Sequence, residues 1–232
     1  MSDLDQVAHL QAEIWGSAEV AAPATLLKVM STAGGIVLLA ESELGGVGFA
    51  YGFTGRDPSG RVYHRSHAAG VLDSARNAGV GRALKLAQRE KALEQGLTVM
   101  VWTFDPAQTG NAHFNLNRLG AKARSFRRDY YGTRSDALNR GRLSDRMVVE
   151  WLLEDGAMEA VNHCCSSPPV SVPVPAQLRN PAVAGDLKAG YRALRVGLEA
   201  EFAKGLAAVA YDRKAGAYSF ALLPPGTPEP VE

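Results

Sequence analysis

The sequence predicts an α/β (α+β) fold in which one mixed, mainly antiparallel sheet is flanked by helices. Three observations carry that prediction. Ile36 to Ala40, Val47 to Thr54 and Arg61 to Val71 read as strands separated by ESELGG and RDPSG, whose Gly, Pro and Asp mark turns, so they form an antiparallel meander. Residues 68–95, AAGVLDSARNAGVGRALKLAQREKALEQ, then read as the end of a strand, a glycine-punctuated turn and a long amphipathic helix. Leu97 to Phe104 is almost wholly apolar, as expected of a strand covered on both faces, and Asp105 and Pro106 end it.

The remaining elements follow in order. Ser2 or Asp3 can cap a first helix through Trp15, with Val7, Leu10 and Ile14 on one face. Pro23 suits the first turn of a second helix through Met30, closed by Gly34 and Gly35. In the long helix Val80, Ala83, Leu84 and Ala87 recur at helical spacing, widened by Leu86 and Leu93, which places Arg82, Lys85 and Arg89 on a face toward solvent or ligand. Asn111 to Leu119 is a short helix stopped by Gly120, followed by strands near Ala121 to Tyr131 and Arg146 to Leu153. SSPPVSVPVP (166–175) reads as an extended linker. Leu187, Tyr191, Leu194, Leu198 and Phe202 make a helical stripe ended by Gly205, and Leu206 to Tyr211 with Ala217 to Leu223 read as a hairpin around DRKAG. The expected organisation is a main domain over 1–155 and, over 156–232, a linker, helix and hairpin ending in a frayed tail. That extension is too small to bury a core alone, so it packs on the first domain or on a second subunit, as in a homodimer.

With 232 residues, 46% hydrophobic, the chain can bury a substantial core. A net charge of +1 gives no electrostatic reason to expect nucleic acid or an anionic membrane as partner. No apolar run is long enough to span a bilayer, and MSDLDQVAHL lacks the basic start and apolar middle of a signal peptide, so a cytoplasmic location is expected. Cys164 and Cys165, the only cysteines, are adjacent and have no ligand-spaced partners for a metal site.

The glycine turn is a candidate anion site. Gly79 and Gly81 let backbone approach a ligand, and the first helical amides, lacking internal acceptors, favour a phosphate or pyrophosphate at the positive end of the helix dipole. A phosphate-binding Walker loop would need Lys then Ser or Thr after the last glycine, where Arg82 and Ala83 stand; a dinucleotide fingerprint would need a third glycine. Arg76, Gly79 and Gly81 do match the pattern Arg/Gln, two residues, Gly, one residue, Gly/Ala, and follow a strand ending in Val71 at the usual distance. The stretch from Ser2 to Leu153 thereby resembles the GCN5-related N-acetyltransferases (GNAT superfamily), and WTFDPAQTGNAHFNLNRLGAKARSFRRDYYGTRSDALNRGRLSDRMVVEW looks like a subgroup of longer members with a C-terminal extension.

That resemblance implies a sheet splayed near Val71 at the central acyl-CoA-binding strand pair, with acyl-coenzyme A in the cleft between the strand ending at Val71 and the strand Leu97 to Phe104. Asn77, Ala78, Gly79, Val80, Gly81 and Arg82 would take the pyrophosphate, with Arg76. Ala69, Gly70 and Val71 would pair with the pantetheine arm and polarise the thioester. Asn111 joins the cofactor-binding set, and no metal is required. The implied reaction moves acetyl, or succinyl, from coenzyme A to the primary amine of a small molecule such as an amino acid, in a direct ternary complex. The competing readings are a non-catalytic acyl-CoA binding or sensing module and a nucleotide-phosphate binder.

For the general base, His67 has an ordinary pKa near neutrality and, four residues before Val71, shares that residue's side of an unbroken strand. A histidine occupies the matching position in arylalkylamine members of the family. It can equally be satisfied by a carbonyl or simply be exposed. His64 falls on the opposite face, and Asp105 is a second base candidate that can also just end its strand. The family's acid, a tyrosine four residues before the glycine that ends the short helix, is Leu116 here, and the preceding polar slot is Thr109. Tyr130 or Tyr131 could substitute or could be packing residues. Lys122, Arg124, Arg127, Arg128, Arg134, Arg140 and Arg142, against Asp129, Asp136 and Asp145, form either a solvated face or a grip for the 3′-phosphate or a carboxylate.

Overall fold

The computed structural model describes residues 2–132, 143–154, 169–180 and 182–224. Arg134, Asp136, Arg140, Arg142, both cysteines, the start of the expected linker and the expected tail from Pro225 onward lie outside them. The chain divides into two compact units, Met1–Met100 and Val101–Glu232.

The first unit is a helix, sheet, helix sandwich. Helix α1 (Asp3–Trp15) opens with a capping box: the Ser2 hydroxyl accepts from the Asp5 N–H, and the Asp5 carboxylate accepts from the Ser2 backbone. Helix α2 (Ala24–Thr32) has Pro23 at its N-cap, and Gly34, at φ 89°, turns the chain out of it. Strands β1 (Ile36–Ser42), β2 (Gly45–Arg56) and β3 (Val62–Val71) pair antiparallel in sequence order. Val7 and Leu10 of α1, Leu27 of α2 and Phe49 and Tyr51 of β2 form a buried cluster on one sheet face, backed by Ile14, Trp15, Val37, Leu39 and Ala68. Helix α3 (Val80–Glu94) covers the other face, where a Cβ at Gly48 would meet Leu84 Cδ1 at 3.3 Å.

Two expectations fail in this unit. The buried residues of α3 are Leu84, Lys85, Gln88 and Ala92, while Ala83 is exposed, so Lys85 faces the sheet rather than solvent. The buried stripe runs at four-residue spacing through 84, 88 and 92 and takes in two polar side chains that pair with each other and with β3. The second failure concerns strand parity. Tyr51 pairs with Ala68 but Gly52 pairs with Ser66, which leaves His67 as the extra residue of a β-bulge. A Cβ at Gly70 would strike Phe49 and Ile14, so Ala69 and Val71 face α3, whereas the His67 ring lies beside Tyr51 and Phe53 on the α1 side. His67 and Val71 therefore lie on opposite faces, because one inserted residue reverses alternation beyond it.

In the second unit the strand order is β4-β6-β5-β8-β9-β7, with β4 (Val99–Phe104) crossing the boundary between the units. Strand β5 (Lys122–Arg127) pairs antiparallel with β6 (Arg146–Leu152) and with β8 (Ala207–Asp212), and β9 (Ala217–Ala221) lies antiparallel between β8 and β7 (Val170–Pro173). Part of the expected linker is thus an edge strand: Val170 and Val172 pair with Phe220 and Tyr218, and an edge tolerates the missing N–H of Pro173. The expected short helix is α4 (Thr109–His113) continued by a π-turn, Phe114–Arg118. A further short helix, α5 (Ala176–Arg179), precedes α6 (Leu187–Phe202), which is capped by Asp186 and buries Tyr191, Leu194 and Leu198 against β5 and β7. Phe202 stacks on Phe126 and meets Phe220 edge-on at 5.1 Å.

Candidate functional site

The turn between β3 and α3 is built from backbone. Asn77 at φ 63° and Gly79 at φ 88° are both left-handed, an alternation that aims successive N–H groups into one concavity. Gly79 is the N-cap of α3 and contributes no side-chain cap. The first helical amide to find its acceptor is Ala83, donating to the Gly79 carbonyl at 3.0 Å, so those of Val80, Gly81 and Arg82 precede the helical ladder. A Cβ at Gly79 would meet nothing within 4 Å, so the turn is open on that side. Arg76 pairs with Asp73 at 2.8 Å on the surface, and Arg82 is exposed. A turn of this kind, at the positive end of a 15-residue helix, is a candidate anion site.

Upstream of it, Ala69, Gly70 and Val71 pair with Ala50, Phe49 and Gly48. His67 is exposed on the bulge, its ring 5.6 Å from that of Tyr51 and 6.0 Å from that of Phe53. Its imidazole is held below the usual 6.5, first by desolvation among these rings and then by the charge of Arg65, so it is neutral at pH 7. Tyr51 donates to Gln11 Oε1 at 3.0 Å, and burial pushes its phenol up to about 12.

The other sequence-predicted residues belong to the second unit. Asp105 accepts from the Ala107 N–H at 2.8 Å and so caps the turn after β4. Tyr218 donates to the Pro106 carbonyl at 2.6 Å, fixing that turn from β9. Asn111 is exposed on α4, and Leu116 is 2% exposed inside the π-turn. Tyr130 and Tyr131 are not in a strand: β5 ends at Arg127, Asp129 adopts φ 44°, and the two exposed rings meet edge-on at 4.8 Å with Arg146 over Tyr131. Arg124 pairs with Glu150 at 3.0 Å and Arg128 with Glu199, while Arg127 is exposed. Among the described residues no group of three or more His, Cys, Asp or Glu could hold a metal ion, and no helix is long and apolar enough to cross a membrane.

Sequence reasoning missed Lys85, Gln88 and Asn115. Asn115 accepts from the Trp102 indole N–H at 3.2 Å, and nothing in the polar segment NAHFNLNR (111–118) singles it out from Asn111 or Asn117.

No family model and no curated protein matches the chain. Solved structures do. The ribosomal-protein-alanine N-acetyltransferase of Brucella melitensis is 23% identical with a TM-score of 0.51, over 65% of this chain and 94% of its own. A candidate acetyltransferase of Salmonella typhimurium, solved with its cofactor acetyl-CoA, is 18% identical with a TM-score of 0.53, over 67% and 91%. An aminoglycoside 6′-acetyltransferase of type Ii is 16% identical with a TM-score of 0.50, over 66% and 90%. Over about two thirds of its length the chain has the fold of the GNAT acetyltransferases.

Proposed function

We propose that the protein is an acyl-CoA-dependent N-acyltransferase that moves acetyl to the primary amine of a small molecule such as an amino acid. The carrying observation is that a bulged strand runs directly into a turn with left-handed Asn77 and Gly79 at the start of α3. The donor concavity takes the pyrophosphate of the acyl donor, and the end of β3 offers backbone to the pantetheine arm. The acceptor nitrogen attacks the thioester carbonyl and loses its proton to neutral His67. The C–S bond then breaks, and coenzyme A leaves as thiolate. Acetyl is kept as the default donor and succinyl as the alternative: of the arginines that could grip a succinyl carboxylate, Arg128 is engaged by Glu199 while Arg127 is exposed. The structural neighbours act on both a ribosomal protein and an aminoglycoside, so the acceptor panel must include peptides.

Calorimetry with coenzyme A and with ATP, followed by free-thiol release from acetyl-CoA over a panel of amines, tests this reading. Coenzyme A is expected to bind and ATP not. Thiol release should follow at least one amine and fall about 10²-fold or more in His67→Ala. Because His67 acts as the neutral base, kcat should fall as pH drops through a value below 6.5. Tight coenzyme A binding with no thiol release for any amine would instead support the sensing module, whose specific support is the buried Leu116.

A further inference from the structure

Between α3 and β3 lies a buried polar cluster that the reaction above does not use. Lys85 is 4% exposed, and its amine donates to the Ser66 hydroxyl at 2.7 Å, with Gln88 Oε1 at 3.4 Å and Met100 Sδ at 3.7 Å. The Ser66 hydroxyl donates in turn to Gln88 Oε1 at 2.8 Å. His64, fully buried on the same side of β3, has no hydrogen-bond partner at either ring nitrogen among the described residues, and neither has the Gln88 amide nitrogen. Burying an amine and an imidazole side by side costs stability, and a hydrophobic side chain at 85 would avoid much of that cost. Something other than stability must therefore account for the arrangement.

The register shows what the cluster holds. Ser66 pairs with Gly52 at the last step of the ladder before His67 bulges out, so the hydroxyl gripped by Lys85 belongs to the residue immediately preceding the proposed base. The opposing strand cannot fill in behind it: a Cβ at Gly52 would overlap the Arg65 carbonyl and approach His64 Nε2 to 2.6 Å. The other end of the lysine is anchored in α3, five residues beyond Val80, where the helix begins. One side chain thus ties the helix that presents the pyrophosphate donors to the bulge that presents His67.

We propose that Lys85 is a positioning residue for acyl transfer, which acts through Ser66 to fix the β3 bulge and with it the aim of the His67 imidazole. This rests on the N-acyltransferase reading above. The amine touches neither substrate nor reacting atoms; it sets where the base stands relative to the strand that holds the thioester. A base misplaced by a fraction of an ångström loses rate without losing ligand.

The experiment compares wild type, Lys85→Met, Ser66→Ala and the double variant as full chains, by coenzyme A calorimetry, thermal midpoint and steady-state kinetics with acetyl-CoA and an accepted amine. Both single variants should lower kcat roughly tenfold to a hundredfold while the Kd for coenzyme A and the KM for acetyl-CoA stay within about twofold. The double variant should be no slower than the slower single one, because both remove the same link. Lys85→Met should not melt below wild type. Unchanged kcat in both single variants, or losses that multiply in the double variant, would overturn the assignment while leaving the acyltransferase reading intact. A parallel loss of kcat, coenzyme A affinity and thermal midpoint would reduce Lys85 to a packing residue. A wild-type protein that releases no thiol removes the reading and this assignment together.

Discussion

Replacing Lys85 by Met should stabilise the protein at neutral pH and destabilise it slightly near pH 10, where only the lost hydrogen bonds remain. Burial pushes the Lys85 amine down from its ordinary 10.5 to about 7. Between those values the unfolded chain holds a proton that the folded chain has shed, so stability rises with pH across the window and the penalty is fully present below pH 7. At about 1.4 kcal/mol per pH unit, the window is worth roughly 5 kcal/mol. Against this stands the loss of the hydrogen bond to Ser66 and the approach to Gln88, about 1–3 kcal/mol. Lys85→Met should therefore be the more stable protein by about 2–4 kcal/mol at pH 7. Neighbouring groups bound the range in which the effect is clean. Among the residues packed on this face, His64 is pushed down to about 4, by burial first and the Lys85 charge second, and destabilises only as pH falls below 6.5. Tyr51, on the other face, titrates at about 12 when folded and lowers stability above its unfolded value of 10. Urea unfolding of both proteins at pH 7, 8 and 9 should show the difference shrinking by about 1.4 kcal/mol per pH unit. A difference that does not change with pH would mean that the amine is not desolvated as described.

Two further outcomes follow from single residues. Gly79→Ala places a Cβ on a φ of 88° with no clash, so it should cost only about 1–2 kcal/mol of backbone strain while weakening coenzyme A binding about tenfold. Gly96→Ala, at φ 74° and equally open, is its control and should destabilise without changing coenzyme A affinity; calorimetry on both checks this. Arg195→Ala removes a bidentate grip on Asp145, at 2.6 and 2.8 Å, together with the contact to Asp129 at 3.0 Å. With the Asp145 side chain only 4% exposed, the loss should be about 2–3 kcal/mol in urea unfolding, and a loss below about 0.5 kcal/mol would show that the carboxylate finds water instead.

Much of the fold was legible because local chemistry and burial agree. Ser2 ahead of a helical pattern announces a cap, ESELGG and RDPSG supply the turns of the meander, and Tyr191, Leu194 and Leu198 of the helical stripe are buried on α6. The glycine turn was legible for the same reason, since left-handed positions select Gly and Asn. Other features left no such mark. Prolines at 173 and 175 read as a linker because the pattern does not tell an edge strand, which can spare an N–H, from a segment with no partner. Tyr130 and Tyr131 read as strand because their β preference outweighed Asp129, a residue type that enters the left-handed region at modest cost and there ends β5 early.

Errors at strand ends and edges are the ordinary loss of reading sequence locally, but the two errors in the first unit are of another kind. Placing His67 beside Val71 assumed an unbroken alternation, and placing Lys85 in solvent assumed that a charge stays out of the core. Each rule is broken by one residue with nothing in its own type to announce it, and Lys85 bonds the hydroxyl of Ser66, the residue that precedes His67. Chance misreadings would fall on unrelated parts of the chain. These meet on one strand, one residue apart, at the place where the bulge presents an imidazole held neutral. Local rules are broken at a cost in stability, and a fold that breaks two of them at a single point is putting that cost into geometry rather than into packing.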